Sequence, residues 1–228
     1  MTSSAANTTS FGQHLKLLLI SEHLLQDLLS SVFISLACFI FGATPFVTLY
    51  IFATLLVGQF SIDISNNYFD RHTDKLSGQK HKVLAEDKVP AKLAIRIALI
   101  FLVLSVGMSL FIPAGAGYIH IIALAIAWAY NLGLKKTPLS ILCYMVAFSL
   151  TPVFVTIVTS KDTTLLVMAT FAIFGAVAHF AEAIKDYHYD TKVGNRAFPT
   201  IFPLATSKKI LTGLVILLLF LSIFSFIL

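Results

Sequence analysis

Charge is scarce in this chain. Only 12% of its 228 residues are Asp, Glu, Lys or Arg, against 57% hydrophobic. A water-soluble domain of this length carries about 25% charged residues. Too few polar side chains are present to cover the chain in water, so the bilayer is its expected solvent. Cysteine is also scarce. Cys38 and Cys143 both lie in apolar runs, which excludes a disulfide framework or a zinc site. No strand alternation, low-complexity tract or soluble domain is visible. Residues 1–10 are small and polar, without a basic region leading into an apolar core, so they do not read as a cleaved signal. A net charge of +5 would suit nucleic acid, but the basic residues are separated by membrane-length apolar runs. They mark topology, and nucleic acid is excluded as a partner.

What the chain has is long apolar runs. A spanning helix needs about 20 mostly apolar residues. Seven candidates appear, at 28–41, 45–64, 91–112, 118–132, 139–159, 163–181 and 210–228. The segment 11–29 mixes Leu15, Leu18, Leu19 and Leu25 with His14, Lys16, Glu22, His23 and Asp27. It reads as an amphipathic helix lying in the membrane surface. Residues 1–27 are thus a tail and interfacial helix, and 28–228 a transmembrane domain. Of the 16 Lys and Arg residues, 15 fall on one side of the resulting topology and Lys161 on the other. The positive-inside rule makes the rich side cytoplasmic, together with the N-terminus and both acidic segments described next.

The second run leads into S-I-D-I-S-N-N-Y-F-D-R-H-T-D. At about 100° per residue, Asp63, Asp70 and Asp74 fall within roughly 40° on a helix, with Asn67 on the stripe and Asn66 at its edge. Stacked carboxylates repel one another and are costly at membrane depth. A divalent cation neutralises them, and Asp and Asn oxygens suit Mg²⁺. The sixth run leads into A-H-F-A-E-A-I-K-D-Y-H-Y-D. Here Glu182, Asp186 and Asp190 repeat at four-residue spacing, on one helical face, with His179 a turn earlier. Gly194 and Pro199 then end the helix. Two carboxylate clusters across a cavity can clamp two Mg²⁺ ions, which can bridge a diphosphate and stabilise the charge gathering on it as it leaves. Lys80, Lys82, Arg71, Lys135, Lys136, Lys192 and Arg196 supply cations on the same face. The tyrosine and histidines beside the motifs (His72, His179, Tyr187 and His188) are candidate polar contacts.

These residues resemble the UbiA superfamily of intramembrane prenyltransferases. Its N-x-x-x-D-x-x-x-D motif after the second helix is matched by Asn66, Asp70 and Asp74. Its D-x-x-x-D motif after the sixth is matched by Asp186 and Asp190. K-H-K-V-L at 80–84 is similar to the family's basic loop. Tyr130–Asn131 with Lys135–Lys136 is similar to its Y-x-x-x-x-K segment. The resemblance implies an all-α bundle of transmembrane helices around a central cavity open to the cytoplasm. It implies Mg²⁺-dependent transfer of a prenyl group from a prenyl diphosphate to an aromatic, quinone-precursor or other lipophilic acceptor. Asn66, Asp70, Asp74, Asp186 and Asp190 would hold the metal. The four aspartates would be catalytic, and Asn66, Lys80, Lys82, Lys135 and Arg71 would contact the diphosphate. Three departures stand out. Asn67 occupies a position often held by Asp, Lys replaces Arg in the basic loop, and the chain stops at Leu228 after seven spans where the family has nine. Cyclisation, transfer of another diphosphate-activated group, and cation transport are the alternatives. Transport sites lie near the midplane, often at broken helices, whereas both clusters here lie at helix ends.

Overall fold

The computed structural model describes residues 10–20, 24–78 and 82–227. Among them there is no strand. Nine α-helices follow one another: α1 (Phe11–Leu19), α2 (Leu24–Ile40), α3 (Pro45–Ser77), α4 (Ala91–Ser109), α5 (Ala116–Leu132), α6 (Ser140–Thr159), α7 (Leu165–Lys185), the short α8 (Tyr187–Lys192) and α9 (Leu204–Ile227). Six are long and apolar enough to cross a membrane, counting the turn that precedes α5 with α5. The 17-residue α2 makes a seventh when taken with α1.

Local chemistry sets the ends. The Thr44 side chain accepts from Val47 N at the start of α3, with Pro45 in the first turn, and Gly78 ends the helix at φ 78°. This is Pro at the start and Gly just past the end, each where its backbone fits best. Thr164 caps α7 in the same way, accepting from Val167 N. Pro152 lies inside α6, where its missing N–H leaves the carbonyl four residues earlier without its helical donor.

The helix of the second run continues unbroken to Ser77, about 50 Å at 1.5 Å per residue, and carries the first acidic stripe past the apolar run, as the helical reading of that stripe requires. One expectation changes. The amphipathic segment 11–29 is not one interfacial helix. α1 ends at Leu19, and residues from Leu24 onward belong to α2, where Asp27 is buried instead of facing solvent. Glu22 and His23 lie outside the described residues. α1 is also more than a surface float. Leu18 is buried in a cluster with Ile64, Leu84, Val89 and Ala94, which anchors α1 to α3 and to the basic loop.

α3 is the organising element. It contacts α1, α2, α4, α5 and α8, while α2 also reaches α6, so that α2, α3, α5 and α6 surround the centre of the bundle. An apolar cavity there is lined by Ile34, Leu55, His120, Ala147, Thr151 and Phe154, among others. α7 packs on α6 and α9. A close approach lets α6 and α7 meet: a Cβ at Gly175 would lie 2.6 Å from the Tyr144 carbonyl oxygen. The outer surface is apolar, with Phe46, Phe111 and Val103 at 79%, 79% and 69% exposure. Apolar area of that extent belongs against lipid.

A polar seam lies inside this greasy shell. Asn131 Nδ2 donates to the Ile62 carbonyl at 2.9 Å and to Ser65 Oγ at 2.8 Å. Ser61 Oγ receives Trp128 Nε1 at 3.1 Å and donates to the Ala98 carbonyl at 2.9 Å. Hydrogen bonds between helices replace the hydrophobic drive that lipid does not provide. They fix the rotation of α3 relative to α4 and α5, and so the direction in which its acidic stripe points.

Candidate active site

The stripe on α3 faces the turn between α5 and α6. That turn is short, a single 3₁₀ turn at Leu134–Lys136 after Gly133, and it delivers Lys135 to the stripe. Lys135 Nζ donates to Asn66 Oδ1 at 2.7 Å and to Asp70 Oδ2 at 2.6 Å. The side chains of Lys135 and Asp70 are only 10% and 18% exposed. A pair this sheltered is screened far less than a surface ion pair. Burial pulls the Lys135 ammonium below its usual range, and the Asp70 carboxylate opposes that fall.

One turn further along α3, Asp74 meets Lys82 at 3.7 Å, both about nine-tenths buried. The loop carrying Lys82 folds back because Leu84, Ala85 and Val89 are buried, and Glu86 N and Lys88 N close turns onto the Lys82 and Val83 carbonyls. Lys80 lies outside the described residues. Arg71 is not brought to the stripe. Its guanidinium lies 4.2 Å over the Tyr68 ring and donates to the Tyr68 carbonyl. Neighbouring residues on a helix point about 100° apart, so Arg71 cannot share the direction of Asp70. Asp63 is buried further up the stripe, with Asn67 Nδ2 near its Oδ1 at 3.3 Å.

The second acidic segment is bent, not one continuous helical face. α7 ends at Lys185, Asp186 adopts φ −97°, ψ 8°, and α8 starts at Tyr187. The four-residue rhythm survives the bend, since Asp186 N bonds to the Glu182 carbonyl and Asp190 N to the Asp186 carbonyl. α8 packs against α3, so the two motifs meet. Asp190 is held by Asn195 Nδ2 at 2.8 Å. Burial raises its carboxyl above the usual range, the charges of Asp186 and Asp70 raise it further, and Asn195 and Lys135 act against the shift. Asp190 therefore feels Asp186 beside it and, across the α3–α8 junction, Asp70 and Lys135. Lys136, Lys192 and Arg196 form no ion pair among the described residues.

Glu182 departs from its motif partners. It receives the Tyr144 hydroxyl of α6 and, at 3.4 Å, Gln26 Nε2 of α2. Tyr144 also packs edge-on to Tyr130, with ring centroids 5.3 Å apart. Tyr144, Gln26 and Asn195 were not legible as site residues, because each is a single polar side chain without a repeating neighbour. His179 is buried, with Nε2 2.9 Å from Ser140 Oγ. His72 and His188 are exposed, and the Tyr187 hydroxyl donates to the Phe202 carbonyl.

The donor set fits a hard divalent cation. It consists of carboxylate and amide oxygens, and Mg²⁺ keeps several waters and needs only one or two carboxylates beside substrate phosphates. Among the described residues no three His, Cys, Asp or Glu side chains converge as a ready-made metal cage. The lysine ammonium groups neutralise Asp70 and Asp74 instead.

A membrane bundle with two opposed acidic motifs at one end is the architecture of an intramembrane group-transfer enzyme. Residues 28–228 match the UbiA prenyltransferase family, and the chain belongs to that family. No curated protein matches it by sequence. Solved structures match its fold. A UbiA homologue from Archaeoglobus fulgidus bound to DMAPP and Mg²⁺ superimposes with a TM-score of 0.80 at 17% identity, covering 94% of this chain and 77% of that one. The same homologue bound to GPP and Mg²⁺ gives 0.78 at 18% identity, covering 92% and 78%. A digeranylgeranylglyceryl phosphate synthase gives 0.67 at 20% identity, covering 94% and 78%.

Proposed function

We propose that this chain transfers a prenyl group from a prenyl diphosphate to a lipophilic acceptor within the membrane. The observation that carries the proposal is the α3–α8 junction, where packing brings Asp70 and Asp190 within electrostatic reach with Lys135 between the motifs. Family membership agrees, and so do the fold-related structures holding DMAPP or GPP with Mg²⁺.

Asn66, Asp70, Asp74, Asp186 and Asp190 would hold Mg²⁺. Bound there, the ion would supply positive charge to the diphosphate oxygens and so favour their departure. Lys135 and Lys82, now paired with Asp70 and Asp74, would turn to the non-bridging oxygens. Their point charges suit a phosphate without the fixed fork of arginine. Lys80 belongs to the same basic loop. In the reaction the allylic C–O bond breaks, and its electron pair leaves with the diphosphate. The acceptor's nucleophilic atom forms the new bond to the allylic carbon and gives up one proton. The excess of Lys and Arg on the motif side, 15 of 16, supports a cytoplasmic location for both motifs. Vesicles containing the full chain, supplied with labelled geranyl diphosphate, Mg²⁺ and lipophilic acceptors, should release diphosphate in step with a prenylated product. Absence of Mg²⁺-dependent release with every donor and acceptor would refute the reading.

A further inference from the structure

Among the described residues no cation pairs with the carboxylate of Glu182. Its contacts are the Tyr144 hydroxyl from α6 and Gln26 Nε2 from α2. It thus differs from Asp70 and Asp74, each neutralised by a lysine. Glu182 is half-buried, and a sheltered carboxylate held only by neutral donors keeps its charge uncompensated. The two neutral donors come from two other helices, one to each carboxylate oxygen. A carboxylate has room for about four hydrogen bonds, and the described residues supply two. Glu182 lies one turn before Asp186, next to the junction where the diphosphate would bind.

The surroundings are flat and aromatic. Tyr144 stacks on Phe148 at an interplanar angle of 11° and lies edge-on to Tyr130. His179 packs against Tyr144 with centroids 4.7 Å apart and against Tyr130 at 6.2 Å. It is 2% exposed, and its Nδ1 has no hydrogen-bond partner among the described residues. A second polar atom beside the same tyrosines is therefore unmatched, which an ordered core rarely tolerates.

We infer that Glu182, held by Tyr144 and Gln26, is the acceptor subsite, and that the acceptor it takes presents a hydroxyl group to the carboxylate. A carboxylate only accepts hydrogen bonds, so its ligand must donate one. The ring walls of Tyr130, Tyr144 and Phe148 suit a planar or lipophilic body attached to that hydroxyl. The inference rests on the prenyl-transfer reading and adds to it the chemical class of the second substrate.

The test uses the full chain in vesicles with geranyl diphosphate and Mg²⁺. One arm supplies ring hydroxyls (hydroquinone and 1,4-dihydroxynaphthalene) and the other an aliphatic hydroxyl (a 1-O-alkylglycerol), each beside its methyl ether. Hydroxyl compounds of at least one arm should be prenylated and their ethers not. Glu182→Gln keeps an acceptor oxygen but loses the charge that strengthens the bond, and should raise the acceptor KM roughly tenfold. Tyr144→Phe, which removes one oxygen and keeps the ring, should shift it the same way by less. In both variants the KM for geranyl diphosphate should stay within about twofold, the signature of a site for the second substrate alone. Three outcomes would overturn the inference: ethers used as well as hydroxyl compounds, no hydroxyl compound prenylated while the wild type still releases diphosphate, or variants whose two KM values move together or not at all. If the wild type releases no diphosphate, the prenyl-transfer reading itself falls.

Discussion

Lys135 and Asp70 stand 65 residues apart in sequence and 2.6 Å apart in space. The same ammonium holds Asn66 at 2.7 Å. One cation thus spans two members of the first acidic motif, in the position where a divalent ion and its diphosphate would compete for the same oxygens. Replacing Lys135 with Ala should raise the KM for prenyl diphosphate at least tenfold, since charge-assisted hydrogen bonds contribute about 1.5–3 kcal/mol. Lys135→Arg should recover only part of it, because a planar fork does not reproduce a compact ammonium between Asn66 and Asp70. Steady-state kinetics on both variants reads this directly.

Arg71 is the matched control. It is a cation on α3, next in sequence to Asp70, yet it lies over Tyr68. Arg71→Ala should leave the KM for prenyl diphosphate within about twofold. A tenfold rise would mean that Arg71 leaves Tyr68 when substrate binds.

Asn131 clasps α5 to α3 through the Ile62 carbonyl and Ser65. Asn131→Leu removes both hydrogen bonds that join α5 to α3, at a net cost of about 0.5–1.5 kcal/mol each. The expected result is a lower unfolding midpoint in detergent, with Mg²⁺-dependent activity per folded molecule reduced less than in Lys135→Ala. An unchanged midpoint would contradict the clasp.

Gly175 lets α7 lie against the Tyr144 backbone, where an added Cβ would come within 2.6 Å of a carbonyl oxygen. Gly175→Ala should therefore push α6 and α7 apart and destabilise the chain by about 1–3 kcal/mol, the usual cost of overpacking. It should also weaken the Tyr144–Glu182 contact. A thermal melt and the acceptor KM report the two effects separately.

Much of this was legible before the structure. Length and hydropathy showed the spanning helices, because nothing else in a greasy chain competes with a 20-residue apolar run. Helical spacing placed Asn66, Asp70 and Asp74 on one face, and α3 keeps them there. The bend at Asp186 was less legible. The i to i+4 spacing of Glu182, Asp186 and Asp190 looks the same on a straight helix and a broken one. The assignment of partners was not legible at all. Lys135, Lys136, Lys82 and Arg71 are equivalent as charges in a string of letters, and only the turn after Gly133 and the Leu84–Val89 fold-back decide which cation reaches which carboxylate. Gln26 and Tyr144 were hidden for the same reason. Gln26 sits among the polar residues of an amphipathic segment and Tyr144 in an apolar run, and the meaning of each comes from the helix opposite.

The central claim is that the two acidic motifs act as one site. It is tested most directly by diphosphate release from a prenyl diphosphate by the full chain in vesicles, comparing wild type with Asp70→Asn and Asp186→Asn at matched membrane insertion. Each substitution keeps the size of the side chain and removes one charge, from opposite sides of the α3–α8 junction. Both variants should insert normally and lose Mg²⁺-dependent release by a factor of a hundred or more, the order expected when charge at a reacting phosphate is lost. Wild-type rates in both variants would contradict the site.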